Sequence, residues 1–158
     1  MRNAPLFSSR VCLGLGTTLL CAVWQCVAAP ALGLMAWAGF AGCTCYFACP
    51  DKGLKGLKSC FPCVFSGVAY AYLSLWISAF VPVSAVNVCA ALVITHLMCV
   101  QSAIPAFSYI PGTFFGSFST FAAGGSIKII PCLALGLLLG IGCDKLGQVL
   151  FKYLGKEK

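Results

Sequence analysis

Charge is what this sequence has least of. Three Asp and Glu residues and ten Lys and Arg residues make up 8% of its 158 positions. A soluble domain carries roughly 25%, because its surface must be solvated. His96 is the single histidine. Paired carboxylates, a glycine-rich phosphate loop and a Ser/His/acid or Cys/His/acid set are all missing, so no enzyme activity is expected. These shortages exclude a water-soluble enzyme, a nucleic-acid-binding domain and a disordered chain. What fills the chain is apolar: 61% of residues are hydrophobic and the mean hydropathy is +1.00. The sequence therefore reads as an all-α, polytopic membrane helix bundle with bilayer lipid as its main partner.

The charges fall in a few places: Arg2 and Arg10, Asp51 to Lys58, Lys128, and Asp144 to Lys158. Between them run apolar stretches at about 11–28, 31–49, 60–81, 85–104, 107–123 and 129–143. Each approaches the roughly 17–25 residues a helix needs to cross the hydrocarbon core. Lipid-exposed irregular backbone would strand unpaired amides, so six transmembrane helices are expected. The period-2 alternation of a membrane β-barrel is absent, as Cys132–Ile141 illustrates.

Six spans place both termini on one side of the membrane. If that side is the cytoplasm, nine of the ten basic residues are inside and only Lys128 is outside. The positive-inside rule supports that count and orientation, with both termini cytoplasmic. Arg2 and Arg10, the apolar run 11–24 and Val27-Ala28-Ala29 imitate a cleavable signal peptide. The internal repeat described next requires the segment, which is therefore read as a retained span.

Shifting the chain by 74 positions lays Gly39–Ala48 on Thr113–Ala122, with identities at Phe40, Gly42, Phe47 and Ala48. A loop five residues shorter then pairs Pro62-Cys63 and Gly67 with Pro131-Cys132 and Gly136. The expected organisation is one integral membrane domain over 1–158: a three-helix repeat at 11–81, a second at 85–143 and a short cytoplasmic tail at 144–158. Three spans per half make this an inverted 3+3 repeat, an arrangement common among transport proteins. The competing explanation is chance similarity between Gly- and Phe-rich helices.

No Asp, Glu, Lys or Arg lies inside an expected span, which argues against a proton- or ion-coupled pump. A passive channel or facilitator for a small uncharged solute is compatible with that absence. Thr113, Ser117 and Thr120 share one face of the fifth helix, and Cys43 and Tyr46 hold repeat-related positions on the second. With His96 near the centre of the fourth span, these are the candidate pore-lining residues. The alternatives are helix-packing contacts for the hydroxyls and a simple interhelical hydrogen bond for His96. Gly112, Gly116, Gly136 and Gly140 form two GxxxG motifs and read as helix-packing positions. Pro111 suits the first turn of its helix.

Twelve cysteines are present, with C-x-x-C spacing at Cys60 and Cys63. One such motif, with the single histidine remote in sequence, does not make a metal site, and scattered thiols on apolar faces act as small hydrophobes. No metal or cofactor is expected. The 50–59 loop and the tail at 144–158, with Leu146, Val149, Leu150 and Tyr153 on one side of a short helix, read as membrane-surface anchors.

The run WAGFAGCTCYFACPDKGLKGL (Trp37–Leu57), with LMCVQ at Leu97–Gln101, IPGTF at Ile110–Phe114, TFA at Thr120–Ala122 and PCLALGL at Pro131–Leu137, resembles a family of small bacterial inner-membrane proteins of unknown function typified by YcdZ. The resemblance covers about residues 12–142. It implies a multi-span protein of the bacterial cytoplasmic membrane and no particular reaction. Cys60 and Cys63 do not look like part of the family pattern, and the resemblance lends His96 no support. Three functions are carried forward: a homo-oligomeric facilitator for a small neutral solute, a structural or accessory membrane protein that transports nothing, and a membrane thiol-redox or metal protein.

Overall fold

The computed structural model describes residues 8–81 and 83–155; Arg2, Lys156, Glu157 and Lys158 lie outside them. The described residues form six helices and no strand. Helix α1 spans Ser9–Val23 and continues through a π turn, Trp24–Ala28, into Ala29–Ala31. Helix α2 is Ala36–Ala48, α3 Gly53–Phe80, α4 Ser84–Val100, α5 Ile110–Ala122 and α6 Ile129–Leu154. Two 3₁₀ turns, Gln101–Ala103 and Pro105–Phe107, join α4 to α5.

Local chemistry sets these boundaries. The Ser8 hydroxyl caps α1 by accepting from the Val11 N–H at 3.4 Å. Pro30 has no N–H to offer the Cys26 carbonyl, and the helix widens into the π turn rather than breaking. Pro111 lies in the first turn of α5, as its sequence position implies. Lys52 turns back on α2 and donates to the Phe47 and Cys49 carbonyls, both at 2.8 Å, favourably placed at a helix C-terminus. Gly53 enters α3 at φ 63, a conformation that costs a residue with a Cβ.

Four helices, counting α1 to Ala31 and α4 to Ala103, are long and apolar enough to cross a membrane. The other two differ from expectation. The apolar stretches 31–49 and 107–123 condense to 13-residue helices, α2 and α5. At 1.5 Å per residue each is about 20 Å long, short of the roughly 30 Å hydrocarbon core. Leu32–Met35 and Gln101–Tyr109 spend the missing length on turns. Two polar segments are also more helical than their composition implies. Lys55 and Lys58 lie in the first turns of α3, so the basic loop shrinks to the few residues between Ala48 and Gly53. The expected tail from Asp144 is the unbroken end of α6, because nothing between Ile129 and Leu154 stops the helix and Gly155 follows it. Asp144 therefore lies within a packed helix rather than beyond one.

Two close crossings organise the bundle. Along α2 and α6, Gly39 meets Gly136 and Tyr46 meets Gly140, so the two helices run parallel. Along α3 and α5, Cys63 meets Gly112 and Val68 meets Gly116, again parallel. α1 runs antiparallel to α6, with Leu13 against Gly147 and Leu20 against Gly142. The crossings match residue for residue under the sequence offset. A Cβ at Gly42 would lie 2.6 Å from the Leu133 carbonyl oxygen, and one at its counterpart Gly116 would strike the carbonyl of Val64, the counterpart of Leu133. A Cβ at Gly136 would strike the Gly39 carbonyl, and one at Gly67 the Thr113 carbonyl, which is again the matched pair. Helices α2 and α5 also begin and end at positions related by the same 74-residue shift.

The core lies between these crossings, around Tyr46, Val64, Leu133 and Leu137. The outside is apolar too: Leu19, Trp76, Phe80, Leu92 and Phe118 are all more than half exposed, as lipid-facing helices require. Because both crossings are backbone against backbone, Gly67→Val or Gly136→Val is expected to destabilise the protein by about 1–3 kcal/mol or prevent folding. Gly14→Ala, where the added methyl meets nothing within 4 Å, should be neutral. Unfolding in mixed micelles, followed by far-UV circular dichroism, measures the difference.

Candidate functional site

The hydroxyl face of α5 is turned inward. Thr113 and Thr120 are fully buried and Ser117 nearly so, all on the side of the α3 crossing. Thr113 Oγ1 accepts from Gln101 Nε2 at 2.9 Å and lies 3.4 Å from Ser66 Oγ. The same amide nitrogen donates to Ser66 Oγ at 3.1 Å. A polar knot thus joins α3, the turn after α4, and α5. Thr120 returns its hydroxyl to the Gly116 carbonyl one turn back, at 2.8 Å. Ser119 points from another face of α5; its hydroxyl is fully buried and has no hydrogen-bond partner among the described residues. Sequence reasoning passed over Ser119 because it falls outside the i, i+4, i+7 stripe. Gln101 and Ser66 were missed because they lie at the end of one helix and within another, with no shared periodicity.

On α2 the candidates are buried against α6. The Tyr46 hydroxyl donates to Asp144 Oδ2 at 3.0 Å and accepts from the Gly53 N–H at 2.8 Å. One phenol therefore ties together α2, the start of α3 and the one carboxylate that α6 carries. Cys43 is buried one turn earlier. Gly112, Gly116, Gly136 and Gly140 all sit where an added Cβ would meet a neighbouring element, as a packing role requires.

His96 is not brought to these residues. It lies on the exposed side of α4 beside exposed Thr95, while Ile94 and Met98 are the buried positions of that helix.

The cysteines divide differently from their sequence pattern. Cys60 and Cys63 turn to separate neighbours, Cys60 Sγ lying 3.9 Å from the Cys45 carbonyl and Cys63 Sγ 3.7 Å from that of Ala106. Instead the Sγ atoms of Cys21, Cys43 and Cys143, from α1, α2 and α6, lie within 4.8 Å of one another. No spacing in the sequence reveals this trio, because each thiol comes from a different helix.

Two recesses open at the end of the bundle where α1 begins. One, of about 210 Å³, is lined by Ser9, Arg10, Leu13, Asp144, Gly147, Gln148 and Phe151. The other, of about 480 Å³, shares Arg10 and Leu13 and extends along Gly14, Thr17 and Thr18 to Phe47. A third recess of about 420 Å³ is apolar, formed on α5 by Ile110, Pro111, Phe114, Phe115 and Phe118. It is a lipid-like surface and offers no polar group.

The model of the DUF1097 family, described as proteins of unknown function, matches residues 14–148. The chain belongs to this family. It is 40% identical over 137 residues to the inner membrane protein YcdZ of Escherichia coli strain K12, covering 85% of this chain and 83% of that protein. It is 38% identical over 137 residues to the inner membrane protein YcdZ of Salmonella typhimurium, covering 85% of each. No solved structure matches. The DUF1097 match takes in both helix crossings, the Gln101–Thr113–Ser66 knot and the three converging thiols, and stops before the last turns of α6.

The Tyr46 hydroxyl supplies one donor and one acceptor to groups that have few substitutes at that depth. Tyr46→Phe is expected to cost about 1–3 kcal/mol, since it leaves a carboxylate and a backbone N–H without their partner. A shift in the mixed-micelle unfolding midpoint, with helical content retained, is the expected result.

Proposed function

We propose that this DUF1097 protein is a passive inner-membrane conduit for a small uncharged, hydrogen-bonding solute. Its triplets α1–α3 and α4–α6 insert in opposite directions, and both termini face the cytoplasm. What carries the proposal is the pair of short helices. α2 and α5 have the same length, lie at matched positions of the two triplets, and pack on each other's third helix through equivalent glycines. Short or interrupted segments at corresponding positions of two inverted halves mark the substrate path in many membrane transporters.

The chemistry of these helices favours a neutral cargo. Neither Ala36–Ala48 nor Ile110–Ala122 holds a formal charge, so no charged side chain on either helix holds a hard ion or couples flux to a proton. Hydroxyls and one amide are what α5 and its contacts offer: Thr113, Ser119, Ser66 and Gln101. The charge distribution supports the orientation. Arg10, Lys52, Lys55, Lys145 and Lys152 gather around the end where Tyr46 joins Gly53 and Asp144. Lys128 is at the other, donating to the Gly33 carbonyl at 3.1 Å and tying the α1–α2 turn to the start of α6.

A second copy of the chain is the natural cover for α4. Exposing His96 and Thr95 to lipid is unfavourable, and a neighbouring protomer would supply hydrogen-bond partners. The same exposed face favours the second function, an accessory protein that docks another membrane protein there.

Proteoliposomes separate the two. A conduit should speed osmotic swelling in one of a panel of solutes the size of urea, ammonia or glycerol, independently of any proton gradient. Thr113→Val and Ser119→Ala, which remove the hydroxyl without adding bulk, should slow that swelling about tenfold, equivalent to about 1.4 kcal/mol in the barrier. Swelling no faster than in empty liposomes across the panel would remove the conduit and leave the accessory role. Cys89 and Cys99, both exposed on α4, should cross-link two copies through a short bismaleimide, with the dimer lost in the doubly serine-substituted protein.

A further inference from the structure

The geometry points to a binding site for a soft, thiophilic monovalent cation, with Cu(I) as the biologically available member of that class, formed by Cys21, Cys43 and Cys143. The site shares Cys43 of α2 with the candidate lining of the proposed conduit, but its argument does not depend on transport.

Three observations build it. The three sulfurs lie within 4.8 Å of one another and come from three helices, so packing and not a local turn brings them together. That packing is tight. A Cβ at Gly16 would lie 2.9 Å from the Gly147 nitrogen and 3.3 Å from the Cys143 carbonyl oxygen, which sets the approach of α1 to α6. Gly42, beside Cys43, sets the approach of α2 to α6 in the same way. A recess also lies close by: lined by Arg10, Leu13, Gly14, Thr17, Thr18 and Phe47, it ends on α1 one turn before Cys21.

The donor set selects the cation. A metal bound by three sulfurs in a plane at about 2.3 Å each requires sulfurs about 4 Å apart, which the trio reaches with movements under about 1 Å. Thiolates prefer soft cations, and three-coordinate sulfur suits Cu(I). Structural zinc takes four ligands and iron–sulfur clusters take four cysteines. No fourth ligand joins this group among the described residues: the adjacent Asp144 carboxylate is engaged by Tyr46, and His96 is on exposed α4. Binding moves no electrons. Each thiol that ligates as a thiolate releases one proton to water, so occupancy falls as pH falls.

The repeat sharpens the assignment. The trio joins the first two helices of one triplet to the last helix of the other, and at the repeat-related positions on α4, α5 and α3 stand Thr95, Ser117 and Ser74. Ser117 and Ser74 fill their positions there with hydroxyls of similar size, while Thr95 is exposed; sulfur at all three positions of one such contact is what a soft cation needs.

The test uses the full chain in detergent, kept reduced and free of oxygen, titrated with Cu(I) against a chromophoric Cu(I) chelator. One equivalent should be withheld from the chelator by the wild type and by Cys60→Ser/Cys63→Ser. It should be lost, at least a hundredfold in affinity, in Cys21→Ser, Cys43→Ser and Cys143→Ser. Equal retention by Cys43→Ser, or loss in the Cys60/Cys63 variant alone, overturns the site. X-ray absorption on the wild type loaded with one equivalent needs no variant to fold. Three sulfurs at about 2.3 Å support the assignment, and two sulfurs or any nitrogen or oxygen shell overturns it. Solute flux in the liposome assay is read separately, so failure of either result leaves the other standing.

Discussion

Where Gly136 of α6 meets Gly39 of α2, and Gly67 of α3 meets Thr113 of α5, there is no room for a Cβ, and the rest of the molecule is arranged around those two contacts. In a bilayer the hydrophobic effect does not draw helices together, because lipid tails are as apolar as leucine. Close backbone approach and the hydrogen bonds it permits must do so instead. Each crossing joins the middle helix of one triplet to the last helix of the other, so the halves are interlocked rather than set side by side. The polar ties are built on the same contacts: Tyr46 reaches Asp144 across one crossing, and Thr113 reaches Ser66 across the other.

The outer helices show how much depends on glycine. α1 closes on α6 through Gly16 and Gly147. The corresponding positions on α4 and α3 are Ala90 and Ser78, small but each with a Cβ. α4 accordingly packs more loosely on α3 than α1 does on α6, and leaves Leu92, Val93 and Leu97 exposed. A few added atoms at one contact convert a packed outer helix into one that presents an open face. That face carries the polar pair Thr95 and His96, the side on which a further protein surface would be most strongly favoured over lipid.

Much of this was legible in the residues. Scarcity of charge gave the membrane class, the spacing of lysines gave the order of apolar segments, and the GxxxG motifs marked the contact positions. The 74-residue offset, weak as a sequence match, paired the glycines that pack equivalently. Hydropathy did not show that Leu32–Met35 and Gln101–Tyr109 leave the helix, since apolar residues in a turn and in a helix look alike to a window average. Nor did it show that Lys55, Lys58 and Asp144 stay helical, because charge marks a membrane boundary and not a helix end. Residues three and four apart could be grouped on one face, which identified Thr113, Ser117 and Thr120. Partners from different helices could not be grouped, which is why Gln101, Ser66 and the Cys21–Cys43–Cys143 trio are visible only in the folded chain.

The repeat also separates what the fold needs from what it merely carries. Positions where both halves have glycine, such as Gly42 with Gly116 and Gly67 with Gly136, are answers to one steric demand made twice. Positions where the halves differ answer to something else. Cys43 against Ser117 and Cys143 against Ser74 exchange sulfur for oxygen at nearly constant volume, so packing is a weak reason for the difference. Tyr46 against Thr120 is a larger departure: the tyrosine spans to a carboxylate on α6, whereas the threonine closes on its own helix. One backbone plan used twice thus gives two chemically unlike interfaces, one bearing thiols and a carboxylate and the other hydroxyls and an amide. Function that needs the two faces to differ must reside in these unmatched positions, since the matched ones are already accounted for by the crossing of the helices.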